Sequence, residues 1–351
     1  MKIAYILSSL SNSGPILVAY DLVKLMVEHG HIVKVYYFDD KINLDFPCST
    51  EKIKMTSNIT IDNYDVIHCH GLRPDLYMLL HNPLWHKVPV CSTIHSYMFR
   101  DHAYTYGKYR SYLTSLLVLA STLRDDKVVL LSKDMMEYYK PYLPTRKLTY
   151  AYNTRICETT KQLSDSERNE LLNFKGNHVL LCSVSGLNRR KGLSQIIKAL
   201  PLLHNVKYCV VGDGAERQSL EQQAKTLGVS DRVLFVGAKP AGYRYLPYAD
   251  IFVMPSYSEG FPLAMLEAAC FSTAVVCSDL PIFREVFNDD EIVVHTLDDT
   301  DSLVRAIRKA IASKAAFGNA IHKTYMECYS PECFYKRHIE IYEGLINKIH
   351  K

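Results

Sequence analysis

The sequence predicts an α/β fold made of two doubly wound, parallel-sheet domains, and three observations carry that expectation. The chain has 351 residues, more than one ordinary core holds and suited to two. Short apolar runs alternate with amphipathic stretches from the first residue, the pattern of right-handed βαβ units. The alternation pauses at a polar, charged stretch, residues 158–176, which reads as an interdomain connection, and then begins again.

In the first half, buried-type strands are expected at residues 3–7, 33–38, 66–69, 90–94 and 128–131. A polar glycine loop, 8–15, follows the first strand. A helix through Ile16, Leu17, Tyr20, Leu22, Val23 and 25–27 comes next and is closed by Gly30. In the second half the strands are 179–184, 208–211, 233–236, 251–254 and 274–277. Residues 331–351 form a last helix, with Phe334, His338, Ile341, Tyr342 and Leu345 near one face. Two such domains leave a cleft at the carboxyl ends of their strands, where ligands bind in folds of this kind.

Composition narrows the function. Hydrophobic residues make up 48% and charged residues 22%, as in a globular protein. The net charge of +4 suits an anionic ligand or a weak attraction to acidic lipid, and it is too small for a nucleic-acid binder. The ten cysteines lie mostly in apolar runs and include no CxxC pair, which reads as reduced, buried thiols. No apolar run reaches the roughly 18 residues of a membrane span, and the N-terminus has too short an apolar core for a signal peptide. These features predict a cytoplasmic protein.

Chemistry concentrates after residue 254, in Ser256-Tyr257-Ser258-Glu259-Gly260-Phe261-Pro262-Leu263-Ala264-Met265-Leu266-Glu267. Gly260 lets the backbone approach a ligand, and Pro262 suits the first turn of a helix. The amides of Phe261, Leu263 and Ala264 are then N-terminal donors fit for a diphosphate. Glu259 and Glu267 are placed to accept hydrogen bonds from vicinal hydroxyls of a sugar or ribose. Asp299-Thr300-Asp301 has the look of a metal-binding DxD string, but an amphipathic run follows it directly, so helix N-capping explains it better.

The run from Ala249 to Ala268 resembles the E-x7-E region of retaining GT-B glycosyltransferases of the glycogen synthase/sucrose synthase-like superfamily. The nearest resemblance is to the family 4-like capsule, exopolysaccharide and lipopolysaccharide transferases of bacteria. Other pieces follow in order. Val184-Ser185-Gly186-Leu187-Asn188-Arg189-Arg190-Lys191-Gly192 resembles the family's phosphate-binding loop, with Lys191 matched directly. Gly186 stands at the family's arginine position, so Arg189 or Arg190 would supply the second cation. Gly212 and Gly214, in Val-Gly-Asp-Gly, and Gly237, after Phe235-Val236, resemble the glycine turns beside the nucleotide. Glu285 aligns with a turn residue of structural role.

In the first half, Gly14 remains of the family's Gly-Gly loop, and His95 matches a histidine that faces the transferred sugar. His68 and His70 resemble a DVIHxH strand end, His68 structural and His70 lining the cleft. Asn153 resembles the asparagine of the interdomain hinge, with Thr154 in place of the expected glycine.

The resemblance implies the GT-B fold, two Rossmann-like domains facing across a cleft. Residues 1–155 would bind the acceptor and 156–330 the nucleotide sugar, and the helix 331–351 would pack back toward the first domain. It implies a retaining, metal-independent glycosyl transfer with no cofactor, from a UDP- or GDP-linked donor to a glycan or lipid-linked acceptor in cell-surface polysaccharide biosynthesis. Glu259, His95 and Lys191 would serve the reaction. Gly14, Gly186, Arg189, Arg190, Lys191, Gly212, Gly214, Gly237, Glu259, Gly260, Phe261, Pro262, Leu263 and Glu267 would hold the donor. Two rivals share the architecture, a nucleotide-sugar epimerase and a non-catalytic nucleotide-sugar-binding partner. The segment 100–147 carries nine Lys/Arg against five Asp/Glu, with Tyr97, Tyr104, Tyr106, Tyr109 and Tyr112 in or near it. It reads either as a peripheral contact with the inner membrane leaflet or as a solvated helix packed on the sheet.

Overall fold

The structure, a computed structural model, describes residues 1–82, 88–101 and 108–349, with the backbone alone of 108–111 and 349. It divides into two compact units, Met1–Ile156 with Tyr329–Lys351, and Cys157–Cys328.

The first unit is built on a seven-stranded sheet: β1 (Lys2–Leu10), β2 (Ile32–Ile42), β3 (Ser49–Lys52), β4 (Val66–His70), β5 (Val90–Thr93), β6 (Lys127–Leu130) and β7 (Leu148–Tyr150), in the order β3-β2-β1-β4-β5-β6-β7. All its pairings are parallel. β1 is buried on both faces because helices cover both sides of a parallel sheet, and so it reads as the unbroken apolar run Ile3–Leu7. The helix Gly14–Glu28 returns over it, and the helix Pro331–Ile349 seals another part of the same layer with Phe334, His338, Tyr342 and Leu345 buried.

The second unit has six parallel strands: β8 (Val179–Val184), β9 (Val206–Val211), β10 (Val233–Gly237), β11 (Ile251–Met254), β12 (Ala274–Ser278) and β13 (Ile292–His295), in the order β10-β9-β8-β11-β12-β13. Its core joins Leu181, Tyr208, Val210, Ile251 and Val253 with Ile196, Ile197, Leu303 and Ile307 from the flanking helices. Asp250 ties the outside together: it accepts from the Leu180 amide and pairs with Lys175 and Lys314.

Two expectations need correction. The polar stretch 158–176 is in large part a helix, Asp165–Lys175, with a complete capping box between Ser164 and Glu167. It belongs to the second unit. Its polarity marks an exposed helix with Leu171 as its one fully buried residue. Strands β3, β7 and β13 were not anticipated. β3 is exposed along its length, so no apolar run announces it, and β7 and β13 have only three and four residues.

In each sheet the strand order reverses beside the first strand of the unit, between β1 and β4 and between β8 and β11. Connections leave in opposite directions there and open a crevice at the carboxyl ends of the two strands. The polar motifs follow these strands.

Candidate functional site

In the second unit the switch point falls between β8 and β11, and the loops that follow these two strands carry the charged residues. After β8 the chain turns through a 3-10 segment, Arg189–Lys191, that stops at Gly192 with φ +64°. A Cβ on Gly192 would meet the Pro255 carbonyl oxygen at 2.1 Å. The two loops are therefore in backbone contact, and only glycine permits it. The Tyr257 amide donates to the Arg190 carbonyl at 2.8 Å, and Gln195 Nε2 donates to the Pro255 carbonyl at 2.9 Å.

This seam brings three charges together. Lys191 Nζ lies 2.6 Å from Glu259 Oε1, and Arg190 Nη1 lies 3.3 Å from Oε2 and donates to the Ser258 carbonyl at 2.6 Å. Ser256 Oγ also donates to Oε1, at 2.6 Å. Glu259 is only 6% exposed. Burial pushes its carboxyl up, but the Lys191 and Arg190 charges and the hydrogen bonds from Lys191 and Ser256 outweigh that, so the group sits below the usual carboxylate range. With three acceptor sites used of about four, the carboxylate keeps room for a ligand hydroxyl. One carboxylate against two cations leaves the cluster with a net charge of +1, suited to an anion.

The glycine turns line the same edge. The Gly212 amide donates to the Gly237 carbonyl at 2.9 Å, joining the ends of β9 and β10. Gly212 has φ +150°, and a Cβ there would strike the Ser185 carbonyl at 1.8 Å. The Leu187 amide donates to the Asp213 carbonyl, which holds the Gly186 loop against Gly214. Gly186 is exposed, and a Cβ there would meet only Asn188 Nδ2, at an ordinary contact distance of 3.9 Å. Of the two arginines left open by the sequence, Arg190 joins the Glu259 cluster, whereas Arg189 is exposed and its guanidinium makes no hydrogen bond among the described residues.

The helix after Gly260 and Phe261 runs Leu263–Cys270. Pro262 is its N-cap rather than its first residue, and the Leu263 amide already donates to the Phe261 carbonyl at 2.9 Å. One of the three amides expected to face a ligand is thus engaged in a turn, because Pro262 bends the chain just before the helix. Glu267 is buried within this helix. Asp299 caps the helix Thr300–Ala312, accepting from the Ser302 amide at 2.8 Å, as its position before an amphipathic run suggests.

Gly14 and His95 lie in the first unit. Gly14 opens the helix Gly14–Glu28, beneath hydroxyls linked from Ser9 to Ser11 at 2.9 Å and from Ser11 to Ser13 at 3.3 Å. His95 follows β5 and is half-buried. Its Nε2 is 2.9 Å from Nδ1 of His70. His68 is fully buried, with Nδ1 on the Tyr342 hydroxyl at 2.6 Å and Nε2 on Thr93 at 2.7 Å. Asn153 is buried beside Arg155, which forms a buried ion pair with Asp21 at 2.6 Å. Sequence reasoning missed that pair, as it missed Gln195. Their partners lie far along the chain or are backbone carbonyls, and no local pattern marks such contacts.

Residues 165–325 match the family model described as Glycosyl transferases group 1, and residues 50–154 match the one described as Glycosyltransferase Family 4. With two parallel-sheet Rossmann-like units the architecture is the GT-B fold, and both matches, together covering most of the chain, support a glycosyltransferase. Among individual proteins, it is similar to the O-antigen biosynthesis glycosyltransferase WclY of Escherichia coli, 29% identical over 355 residues, with 99% of this chain and 100% of that protein covered. The fold is also that of sucrose-phosphate synthase from Thermosynechococcus elongatus (TM-score 0.85, 17% identity, 99% of this chain and 100% of that chain). HepE from Anabaena, solved in complex with UDP and glucose, aligns with a TM-score of 0.80 at 18% identity, over 97% of this chain and 99% of that one.

Proposed function

We propose that the protein is a retaining transferase that moves a sugar from a UDP- or GDP-linked donor to a glycan or lipid-linked acceptor in O-antigen or lipopolysaccharide-type assembly. The observation that carries this reading is the Arg190–Lys191–Glu259 cluster at the switch point of the second unit. The solved HepE complexes with UDP and with UDP-glucose, and the name of WclY, support the donor class and the setting.

Lys191 and Arg190 would neutralise the leaving diphosphate, the work a metal does in other transferases. Glu259 would accept from donor-sugar hydroxyls and Glu267 from the ribose. With its carboxylate already held by two cations, Glu259 is a weak base and positions rather than attacks. In same-face transfer the anomeric carbon–phosphate oxygen bond breaks as the acceptor oxygen bonds to that carbon. The acceptor proton passes to the departing phosphate oxygen.

A panel of nucleotide sugars, assayed for release of free nucleoside diphosphate with and without acceptor, tests this reading. Acceptor-dependent release is expected. Release or isomerisation of the sugar without acceptor points to an epimerase, and binding with no turnover across the panel points to a non-catalytic partner.

The acceptor's lipid would bring the first unit to a bilayer. The helix Lys108–Ser121 leaves Tyr112, Leu113, Leu116 and Leu117 exposed along one side, Leu113 at 64%. Leu123 follows at 66%, its carbonyl accepting from Lys147 Nζ at 2.8 Å, and Lys147 shares a cleft with Arg124, Arg146 and Lys348 as well as Asp125 and Asp126. Exposed leucines bordered by cations suit an anionic lipid surface. Tyr104, Tyr106 and the Tyr109 side chain, counted toward this contact in the sequence, lie outside the described residues. No described helix is long and apolar enough to cross a membrane. Flotation with vesicles containing anionic lipid is expected to carry the protein upward, and Leu113→Asp with Leu117→Asp to abolish it. Equal flotation of this variant contradicts the contact.

A further inference from the structure

His70 lies at the end of β4, and His95 follows the neighbouring strand β5, where the first unit's sheet opens toward its switch point. Their rings meet edge to edge, His70 Nδ1 to His95 Nε2 at 2.9 Å, with centroids 5.1 Å apart. One hydrogen sits between those two nitrogens, and which ring carries it fixes the tautomer of both.

The surroundings decide the direction. Among the described residues the other nitrogen of His70, Nε2, is buried with no hydrogen-bond partner. If His95 donated, the His70 proton would be on Nε2, an N–H sealed from water with nothing to receive it. If His70 donates from Nδ1, only a lone pair is left unmatched there. Buried orphan N–H groups are the rarer and costlier of the two. His68 cannot relieve Nε2, since Thr93 and Tyr342 occupy both of its nitrogens. Tyr342 in turn bonds the hydroxyl of Tyr5, at 2.9 Å.

We propose that His70 is a positioning residue that donates from Nδ1 to His95 Nε2 and so holds His95 as the neutral Nδ1–H tautomer. His95 then offers its Nδ1–H at the end of β5 as a hydrogen-bond donor for a ligand oxygen, a sugar hydroxyl or a phosphate, and cannot act as a proton-accepting base. Burial agrees: it holds His70 well below the usual histidine range and pushes His95 down to about 3, so neither ring is charged at neutral pH. The contact with a sugar rests on the transferase reading; the tautomer does not.

Long-range proton–nitrogen NMR of the 15N-histidine-labelled protein at pH 7.5 tests this directly, with His95 assigned from its loss in His95→Gln. Protonated Nδ1 and bare Nε2 are expected at His95. His70→Asn, whose amide can donate from nearly the same place, should keep that pattern. His70→Leu should release His95 toward the Nε2–H form. Once a donor and acceptor are known, kcat/KM should stay within about threefold in His70→Asn and fall about tenfold in His70→Leu, the effect of one hydrogen bond. An Nε2–H signal at His95 in the wild-type protein, or an unchanged tautomer in His70→Leu, overturns the proposal. Should His70→Leu not fold, the wild-type and His70→Asn spectra still decide. The expected tautomers without any turnover would leave this inference standing and count against the transferase reading alone.

Discussion

At the residue scale, Glu259 has a divided role, because it neutralises the cations that would hold a diphosphate while keeping one acceptor site for a sugar. Removing its charge separates the two. Glu259→Gln keeps the shape, frees Lys191 and Arg190 from their counter-ion and weakens the hold on a sugar hydroxyl. Nucleoside diphosphate should bind as well as before or more tightly, while kcat/KM for the nucleotide sugar falls at least tenfold. The variant should lose about 1–3 kcal/mol of stability, since two partly exposed cations lose a buried partner. Titration calorimetry beside steady-state kinetics checks the split; parallel losses in both would place Glu259 on the phosphate.

At the element scale the site depends on two loops meeting backbone to backbone. Gly192→Ala would drive a Cβ to 2.1 Å from the Pro255 carbonyl oxygen and 2.6 Å from Gln195 Nε2 in a left-handed conformation, and the Pro255 backbone cannot yield as a side chain could. The strain should exceed about 2 kcal/mol and lower the second unit's melting temperature by several degrees. Gly186→Arg, by contrast, meets nothing closer than Asn188 Nδ2 at 3.9 Å and should leave stability within about 0.5 kcal/mol of wild type. Thermal melts of the two variants compare them directly.

This scale also separates what the sequence makes legible from what it hides. Buried parallel strands such as β1 and β12 stand out as unbroken apolar runs, and the loops after β8 and β11 were recognisable from Lys191 and from Glu259-Gly260. The exposed strand β3 and the helix Asp165–Lys175 were hidden because their side chains face water along most of their length. Arg190 could be chosen over Arg189 only once the turn at Gly192 had set which guanidinium faces Glu259.

At the scale of the whole molecule, buried ionisable groups set the pH response, most strongly in the first unit. His68 and His70 are held well below the usual range, His95 is pushed down to about 3 and His338 to about 4, all by burial first. All four are neutral when folded and titrate near 6.5 when unfolded, so their contribution is complete above about pH 6.5 and lost as pH falls toward 4. Two buried carboxyls oppose them. Burial pushes Asp75 up to about 8, and Asp125 is raised by burial and by the Asp75 charge. These two favour the folded state when protonated, so the contribution of Asp75 is lost as pH rises through about 8, and that of Asp125 as pH rises above the usual carboxylate range. Four protons less two leave a net slope of at most about 3 kcal/mol per pH unit below pH 6. Calorimetry from pH 4.5 to 9 should find the first unit most stable between about pH 6 and 7, falling on both sides. In the second unit burial pushes His295 down, and the transition of that unit should move less on acidification. A first-unit transition that stays level from pH 7 to 5 contradicts burial of these rings in their neutral form.

The identity of the second unit's site as a nucleotide-diphosphate seat is tested most directly by titrating UDP and GDP into the wild-type protein and into Lys191→Ala. One of the two nucleotides should bind the wild type and lose at least tenfold, about 1.4 kcal/mol, in the variant. Binding of neither nucleotide, or equal binding to both proteins, would contradict it.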